Sequence, residues 1–153
     1  REQLIIAYSN SNIDLLKATG TYNISDIKRK NIVGDKNIYS TPRDLMKWDQ
    51  ALYTNQLIGD SLRQAAFTPY SFERPGQNNY GLGFRLKMLN NKKKVVYHFG
   101  RWHGNNAAFA RLMDEKVTII ILGNKFNRQI YSTASKLYGL FGPYNNEFSG
   151  EEE

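Results

Sequence analysis

Hydrophobic and polar positions change period twice along this chain. Over residues 40–53, Leu45, Trp48 and Leu52 recur at i, i+3 and i+7. That spacing gathers apolar side chains on one face of a helix. Thr41 stands where it can cap the helix, and Pro42 suits the first helical position, whose N–H has no partner anyway. Asp44 follows the cap by three residues, as in a capping box with Asp in place of Glu. A second short helix is predicted from Asp60 or Ser61, carrying Leu62, Ala65, Ala66 and Phe67, and Pro69 ends it. The period then falls to two. Tyr80, Leu82, Phe84 and Leu86 alternate with Gly81, Gly83 and Arg85, which predicts a half-buried strand. Its two glycines predict close approach of another backbone or side chain. Asn90–Lys94 reads as a hairpin tip before a strand Val95–Phe99, and a loop with Gly100 and Gly104 leads to a strand Ala107–Leu112. Asp114–Lys116 is a tight turn, and the β-branched run Val117–Leu122 predicts a central strand covered on both faces. From Arg128 to Phe141 the helical period returns, with Ile130, Ala134, Leu137 and Phe141 on one stripe and Gly142-Pro143 stopping it.

The predicted fold class is α+β. About four strands over residues 80–124, joined by short turns, make an antiparallel meander. Helices precede it, and the amphipathic C-terminal helix packs on the sheet, the available apolar partner. Residues 1–33 form a poorly defined N-terminal segment: Leu4–Tyr8 suits a short strand, Ser9–Asn12 is turn-like and Tyr22–Lys30 is polar. Residues 145–153 are a polar, acidic, frayed tail.

Composition narrows the class further. At 153 residues, 41% hydrophobic and 13% aromatic, the chain suits one compact domain with a real core rather than a disordered segment. The absence of cysteine excludes a disulfide scaffold, a Cys-ligated zinc site and a thiol nucleophile. No apolar run reaches the ~18–20 residues of a transmembrane helix. The opening Arg1-Glu2-Gln3 has no signal-peptide apolar region and no initiator Met, so the expectation is a processed or excised piece of something longer. The formal charge is +7; without Glu151–Glu153, 14 − 3 = 11 acids face 21 basic residues and the balance is +10. The clusters Lys28–Lys30 and Lys92–Lys94 are far apart and accompany no nucleic-acid module. The charge reads as solubility, and no nucleic-acid partner is expected.

Chemistry-bearing residues are few. His98 and His103 are the two histidines. Five-residue spacing across a glycine-bearing loop does not bring them to one helical face, so neither a metal nor any other cofactor is expected. His98 is either a strand-end histidine bonded locally or part of a cleft wall. In the second reading Gly100 admits a ligand close to the backbone, a strand-edge N–H serves an oxyanion, and His and Arg supply protons or positive charge. Ser25 and Lys28 spell Ser-x-x-Lys, a spacing that on a helix sets an amine one turn from a hydroxyl, but no apolar helical frame surrounds them. Tyr8 and Asn10 spell Tyr-x-Asn.

Several segments, in order, resemble one family. Gly34-Asp35-Lys36-Asn37-Ile38-Tyr39-Ser40-Thr41-Pro42-Arg43-Asp44-Leu45, with Trp48, is similar to Gly-Asp-Gly-Gly-Ile-x-Ser-Thr-x-x-Asp-Leu-x-x-Trp. Tyr80-Gly81-Leu82-Gly83-Phe84 is similar to Tyr-Gly-Leu-Gly-Trp, and His98-Phe99-Gly100 with Gly104 to His-Thr-Gly-x-x-x-Gly. Ile119–Asn124 is similar to a strand ending in Thr-Asn. The family is the serine β-lactamase-like group: class C β-lactamases, D,D-carboxypeptidases and related esterases. The resemblance implies that residues 34–144 are the C-terminal part of a β-lactamase/transpeptidase-like domain. It also implies an acyl-enzyme mechanism, a small-molecule or peptide-like acyl substrate, and a periplasmic or otherwise exported parent. The family's third motif maps to His98, Phe99 and Gly100, with the Arg101 N–H as an oxyanion donor and Phe99, Trp102 and His103 lining the cleft. Its Ser-x-x-Lys precedes its Tyr-x-Asn, whereas here Ser25 follows Tyr8. Those two spellings therefore read as accidental, and the N-terminal half of the domain, with its nucleophile, is expected as a missing partner. Phe99 replaces the motif's Thr or Ser, a hydroxyl that helps hold a substrate carboxylate. The rival reading is a non-catalytic binding or regulatory module on the same fold.

Overall fold

The computed structural model describes residues 4–12, 15–23, 38–71, 78–102 and 104–144. The Ser25–Lys28 spelling, Gly34–Asn37, His103 and the acidic tail lie outside them. Strands β1 (Leu4–Asn12) and β2 (Leu15–Asn23) pair antiparallel as a two-stranded sheet, with register shifts after Ala7 and Asn10. Ser9–Asn12 is therefore strand rather than turn.

Helix α1 (Pro42–Tyr53) starts as its cap predicts: the Thr41 hydroxyl accepts from the Asp44 N–H at 3.1 Å and donates to the Asp44 carboxylate at 3.0 Å. Helix α2 (Asp60–Ala66) follows, with Leu62 left exposed and Ala66 and Phe67 buried. The second sheet has five strands in sequence order: β3 (Asn78–Tyr80), β4 (Arg85–Met88), β5 (Lys94–Trp102), β6 (Asn105–Leu112) and β7 (Val117–Gly123), all antiparallel. The meander is the expected one, with one strand more. The alternating stretch Tyr80–Leu86 is two strands and a turn, closed by the Gly81 N–H donating to Phe84 O at 2.8 Å, with Gly83 in the left-handed region at φ +77°. Gly81 shows why the chain turns there. A Cβ on it would lie 2.1 Å from the Ala66 carbonyl oxygen, so this backbone presses directly on α2. The close approach expected of the two glycines exists at Gly81, where it diverts the strand, and not at Gly83, which serves the turn through its positive φ instead.

Two further expectations change. Gly100 lies within β5 rather than in a loop, and the turn falls at Gly104, φ +82°. The run Val117–Leu122 is the last strand of the order rather than a central one, although α1 packs on one of its faces and helix α3 (Gln129–Leu137) on the other. α3 passes into a 3₁₀ turn at Tyr138–Leu140. The tighter winding advances each residue by more than an α-helix does. It carries Phe141 off the predicted stripe into solvent, and Tyr138 is buried instead.

Alternation along β5 and β6 sorts the core into two layers. Val95, Ala108, Ala110, Leu112 and Ile119 face α3, whose Ala134 is fully buried against them. Small residues on both sides let the helix lie close to the sheet. Val96 and Leu86 face the other way, toward Ala66 and Phe67. Among the described residues no helix is long and apolar enough to cross a membrane.

Candidate active site

Strand β5 is held differently along its length. β6 pairs with it from Val95 to Trp102, but β4 pairs only from Lys94 to Tyr97. Beyond Tyr97 no strand of the described residues occupies the β4 side, because the Gly81–Phe84 turn has pulled the chain onto α2. The Leu82 N–H donates to Ala66 O at 3.0 Å and holds it there. At the hairpin tip the Leu89 N–H donates to Lys93 O at 2.8 Å, so the backbone groups of Lys93 face β4. Strand alternation then turns those of Val95, Tyr97, Phe99 and Arg101 the same way. The N–H and C=O groups of Phe99 and Arg101 thus face the open edge.

Side chains alternate across the sheet. His98 lies on the α1/α2 face, opposite Phe109 in register. Its Nε2 shares a 3.1 Å hydrogen bond with the Tyr80 hydroxyl, and the two rings meet edge to face at 6.3 Å. Burial, then the positive charge of Arg85, lower the His98 pKa from the ordinary 6.5. His98 is therefore neutral at neutral pH, a hydrogen-bonding group rather than a cation. Arg85 also lies over the Tyr80 ring at 5.9 Å.

Phe99 points the other way. It stacks on Tyr131 of α3 with centroids 5.1 Å apart and touches Tyr97 at 5.0 Å. It thus stands apart from His98, on the α3 side. Arg101 is exposed, 6.0 Å from the ring of Phe126, which Arg128 approaches at the same distance. The Trp102 backbone ends β5. Gly100 has space around it: among the described residues a Cβ there would meet only Ala107 Cβ, at an ordinary 3.8 Å, and its φ lies outside the left-handed region.

The structure adds residues that were not among the candidate site residues. Tyr80 reaches His98. The Tyr131 hydroxyl donates to Gly100 O at 3.0 Å and accepts from Asn106 Nδ2 at 2.7 Å, while Asn106 Oδ1 accepts from the Asn127 N–H at 3.1 Å. Asn106 is 2% exposed. An amide in alternation with Ala108, Ala110 and Leu112 on one face of β6 was the available signal. Among the described residues no three His, Cys, Asp or Glu side chains converge as metal ligands.

The Beta-lactamase family model matches residues 6–138. The chain belongs to the β-lactamase family. The match takes in the β1–β2 hairpin as well as the five-stranded sheet. Penicillin-binding protein 4* of Bacillus subtilis (strain 168) is 33% identical over 103 residues, which are 67% of this chain and 23% of that protein. The crystal structure of a penicillin-binding protein from Bacillus halodurans superposes with a TM-score of 0.69 at 18% identity, covering 89% of this chain and 40% of that one. A D-stereospecific amidohydrolase from Streptomyces sp. superposes at 0.57 with 25% identity, covering 78% of this chain and 34% of that one. The β-lactamase-family chain described here thus spans less than half the length of each of these relatives.

Proposed function

We propose that this chain supplies one wall of the acyl-transfer site of a serine hydrolase: the third-motif strand, an oxyanion donor and the cleft surface beside them. The observation that carries the reading is the open edge of β5 at Phe99–Arg101, with a glycine at its centre that the described packing does not require. A backbone edge pairs with an extended acyl or peptide-like substrate as a strand would. Gly100 lets that substrate approach closely. When a serine oxygen attacks the substrate carbonyl, the carbonyl oxygen becomes an oxyanion, and the Arg101 N–H donates to it. Collapse expels the leaving group and leaves an acyl-enzyme, which water or another nucleophile releases. Neutral His98, bonded to Tyr80, orients groups in the cleft, and Arg101 adds positive charge.

In this reading the serine comes from the missing N-terminal half of the domain, and the chain is not catalytic alone. The parent is exported, and its substrate is a β-lactam, a D-Ala-D-Ala peptide, an ester or an amide. Phe99 favours a second reading. With a ring on α3 in place of a cleft hydroxyl, the fold serves as a binding or regulatory module without chemistry.

Labelling with a fluorescent penicillin and a fluorophosphonate separates the readings. The longer protein carrying this chain is expected to label and the isolated chain to stay dark. Stoichiometric labelling of the isolated chain would overturn the proposal and restore Ser9 or Ser25 as nucleophile. A dark full-length protein would favour the binding module. Gly100→Ala sharpens the test: it leaves the folding midpoint unchanged yet slows acylation, because the added methyl has room in the protein but not beside a substrate.

A further inference from the structure

The open edge works as an oxyanion site only if the Gly100–Arg101 peptide plane holds its direction. Catalytic donors must be fixed before reaction rather than reoriented during it. β4 does not reach this part of β5, so the β6 ladder, which sets Gly100 opposite Ala107, holds it from one side only, and any second restraint on the plane is a side chain. The Tyr131 hydroxyl donates to the Gly100 carbonyl at 3.0 Å. In a trans peptide the C=O and the following N–H point in opposite directions, and the described chain has no cis peptide bonds. A bond that fixes the Gly100 carbonyl therefore aims the Arg101 N–H, outward across the open edge. Two routes agree on this aim: the carbonyl's partner on one side, and the alternation counted from the Leu89–Lys93 bond on the other.

The hydroxyl is itself held. Asn106 Nδ2 donates to it at 2.7 Å, and Asn106 Oδ1 is occupied by the Asn127 N–H at 3.1 Å, so the amide cannot turn without losing a buried bond. The Tyr131 ring lies nearly parallel on Phe99, at 24°. Phe99 thus replaces the motif hydroxyl with a platform for the tyrosine.

We propose that Tyr131, anchored by Asn106 and stacked on Phe99, is a positioning residue that aims the Arg101 N–H at the oxyanion. The inference rests on the functional reading above, and the experiment separates the two. Its subject is the full-length protein that carries this chain. Arg101→Pro removes the N–H, and Arg101→Ala removes only the side chain. If the functional reading holds, Arg101→Pro lowers the acylation rate constant about 100-fold beyond Arg101→Ala, as loss of an oxyanion donor does. Tyr131→Phe keeps the ring and deletes the hydroxyl. It is expected to lower kcat about 10-fold with KM unchanged, and to weaken a phosphonate transition-state analogue by the same factor while leaving a ground-state ligand unaffected. In the isolated chain, the Gly100 carbonyl carbon and the Arg101 amide nitrogen should shift in the NMR spectrum of Tyr131→Phe, while Val95 and Leu112 stay in place. Tyr131→Leu, which also removes the ring, should lower the melting temperature where Tyr131→Phe does not.

An unchanged Gly100 carbonyl shift, or unchanged kcat in Tyr131→Phe beside a slow Arg101→Pro, overturns the inference and leaves the functional reading standing. An Arg101→Pro protein as fast as Arg101→Ala overturns the functional reading and the inference with it.

Discussion

The two faces of the five-stranded sheet bury the same strands by opposite chemistry. The α3 face is apolar apart from the Asn106–Tyr131 hydrogen bond at its end. Val95, Ala108, Ala110 and Leu112 meet Ala134 and Tyr138, and charged groups stay at the rim, where Lys93 pairs with Asp114 at 3.2 Å and with Glu115. The α1 face is organised around a buried ion pair. Arg111, wholly inaccessible, meets Asp49, 3% exposed, and Thr118 Oγ1 donates to the other Asp49 oxygen at 2.7 Å. Trp48, Tyr53, Phe67, Phe84 and Phe109 surround the guanidinium at 5.2–5.7 Å. Among the described residues its two terminal nitrogens have no hydrogen-bond acceptor, and they face ring surfaces instead. Burial pulls the Arg111 pKa down and Asp49 opposes that; an arginine stays charged under these conditions. The contrast shows that hydrophobic area alone can hold a helix whose contact residues are small. Where the residues are large aromatics, one directional pair fixes which helix position meets which strand position.

The largest expected effect comes from breaking that pair. Asp49→Ala leaves Arg111 buried without its carboxylate and should cost about 3–5 kcal/mol, read as a fall in the urea midpoint. The double change Asp49→Leu with Arg111→Met should recover most of it, because paired desolvation disappears together. Recovery would mean that the pair specifies register more than it adds stability. On the apolar face, Leu112→Ala should cost about 2–5 kcal/mol, with no recovery available from any charge change. Gly81→Ala tests the α2 contact that ends β4 and should cost about 1–3 kcal/mol, since backbone must shift to admit the methyl. If it instead leaves stability unchanged, the Gly81–Ala66 approach does not set the open edge.

The smallest effects are pH-dependent and separate rim charge from buried charge. The hydrogen bonds from Lys93, then from Tyr144, hold the Glu115 pKa below the ordinary 4.5. A carboxyl depressed on folding contributes stability that is present above its unfolded pKa and lost as pH falls through the folded value. Glu115→Gln should therefore flatten the acid side of the stability curve below about pH 4.5, and added salt should mimic it. Protonation of His98 should follow the same sign, its stabilising neutral form being lost as pH falls below 6.5. An NMR titration should place its midpoint under that value, and Arg85→Gln should raise it.

Much of this architecture is legible in the residue pattern. Thr41, Pro42 and Asp44 mark the start of α1 because capping is decided within one turn. The turns at Asn90–Lys94 and Asp114–Lys116 are local as well. Misreadings fall where distant contacts decide. Tyr80–Leu86 keeps strand alternation in sequence, yet Ala66 forces it to turn. Phe141 keeps the helical period, yet the helix tightens before reaching it. Asp49 shares a helix face with Leu45 and Leu52, and Arg111 shares a strand face with Phe109, so each was visible as a charge on an apolar stripe. Nothing local says that the two meet. At the site, His98-Phe99-Gly100 was readable as a motif, whereas the Tyr131–Asn106 support joins separate elements and has no spacing of its own.

Periods, caps and turns were set by residues within a few positions of one another, and the family likeness by the order of four such short segments along the chain. Only the tertiary structure decided which edge of β5 stays open, which carbonyl Tyr131 holds and which carboxylate Arg111 finds. Those outcomes depend on where separate elements stop and pack. The room beside a glycine, or a ring in place of a hydroxyl, changes them without altering the hydrophobic pattern.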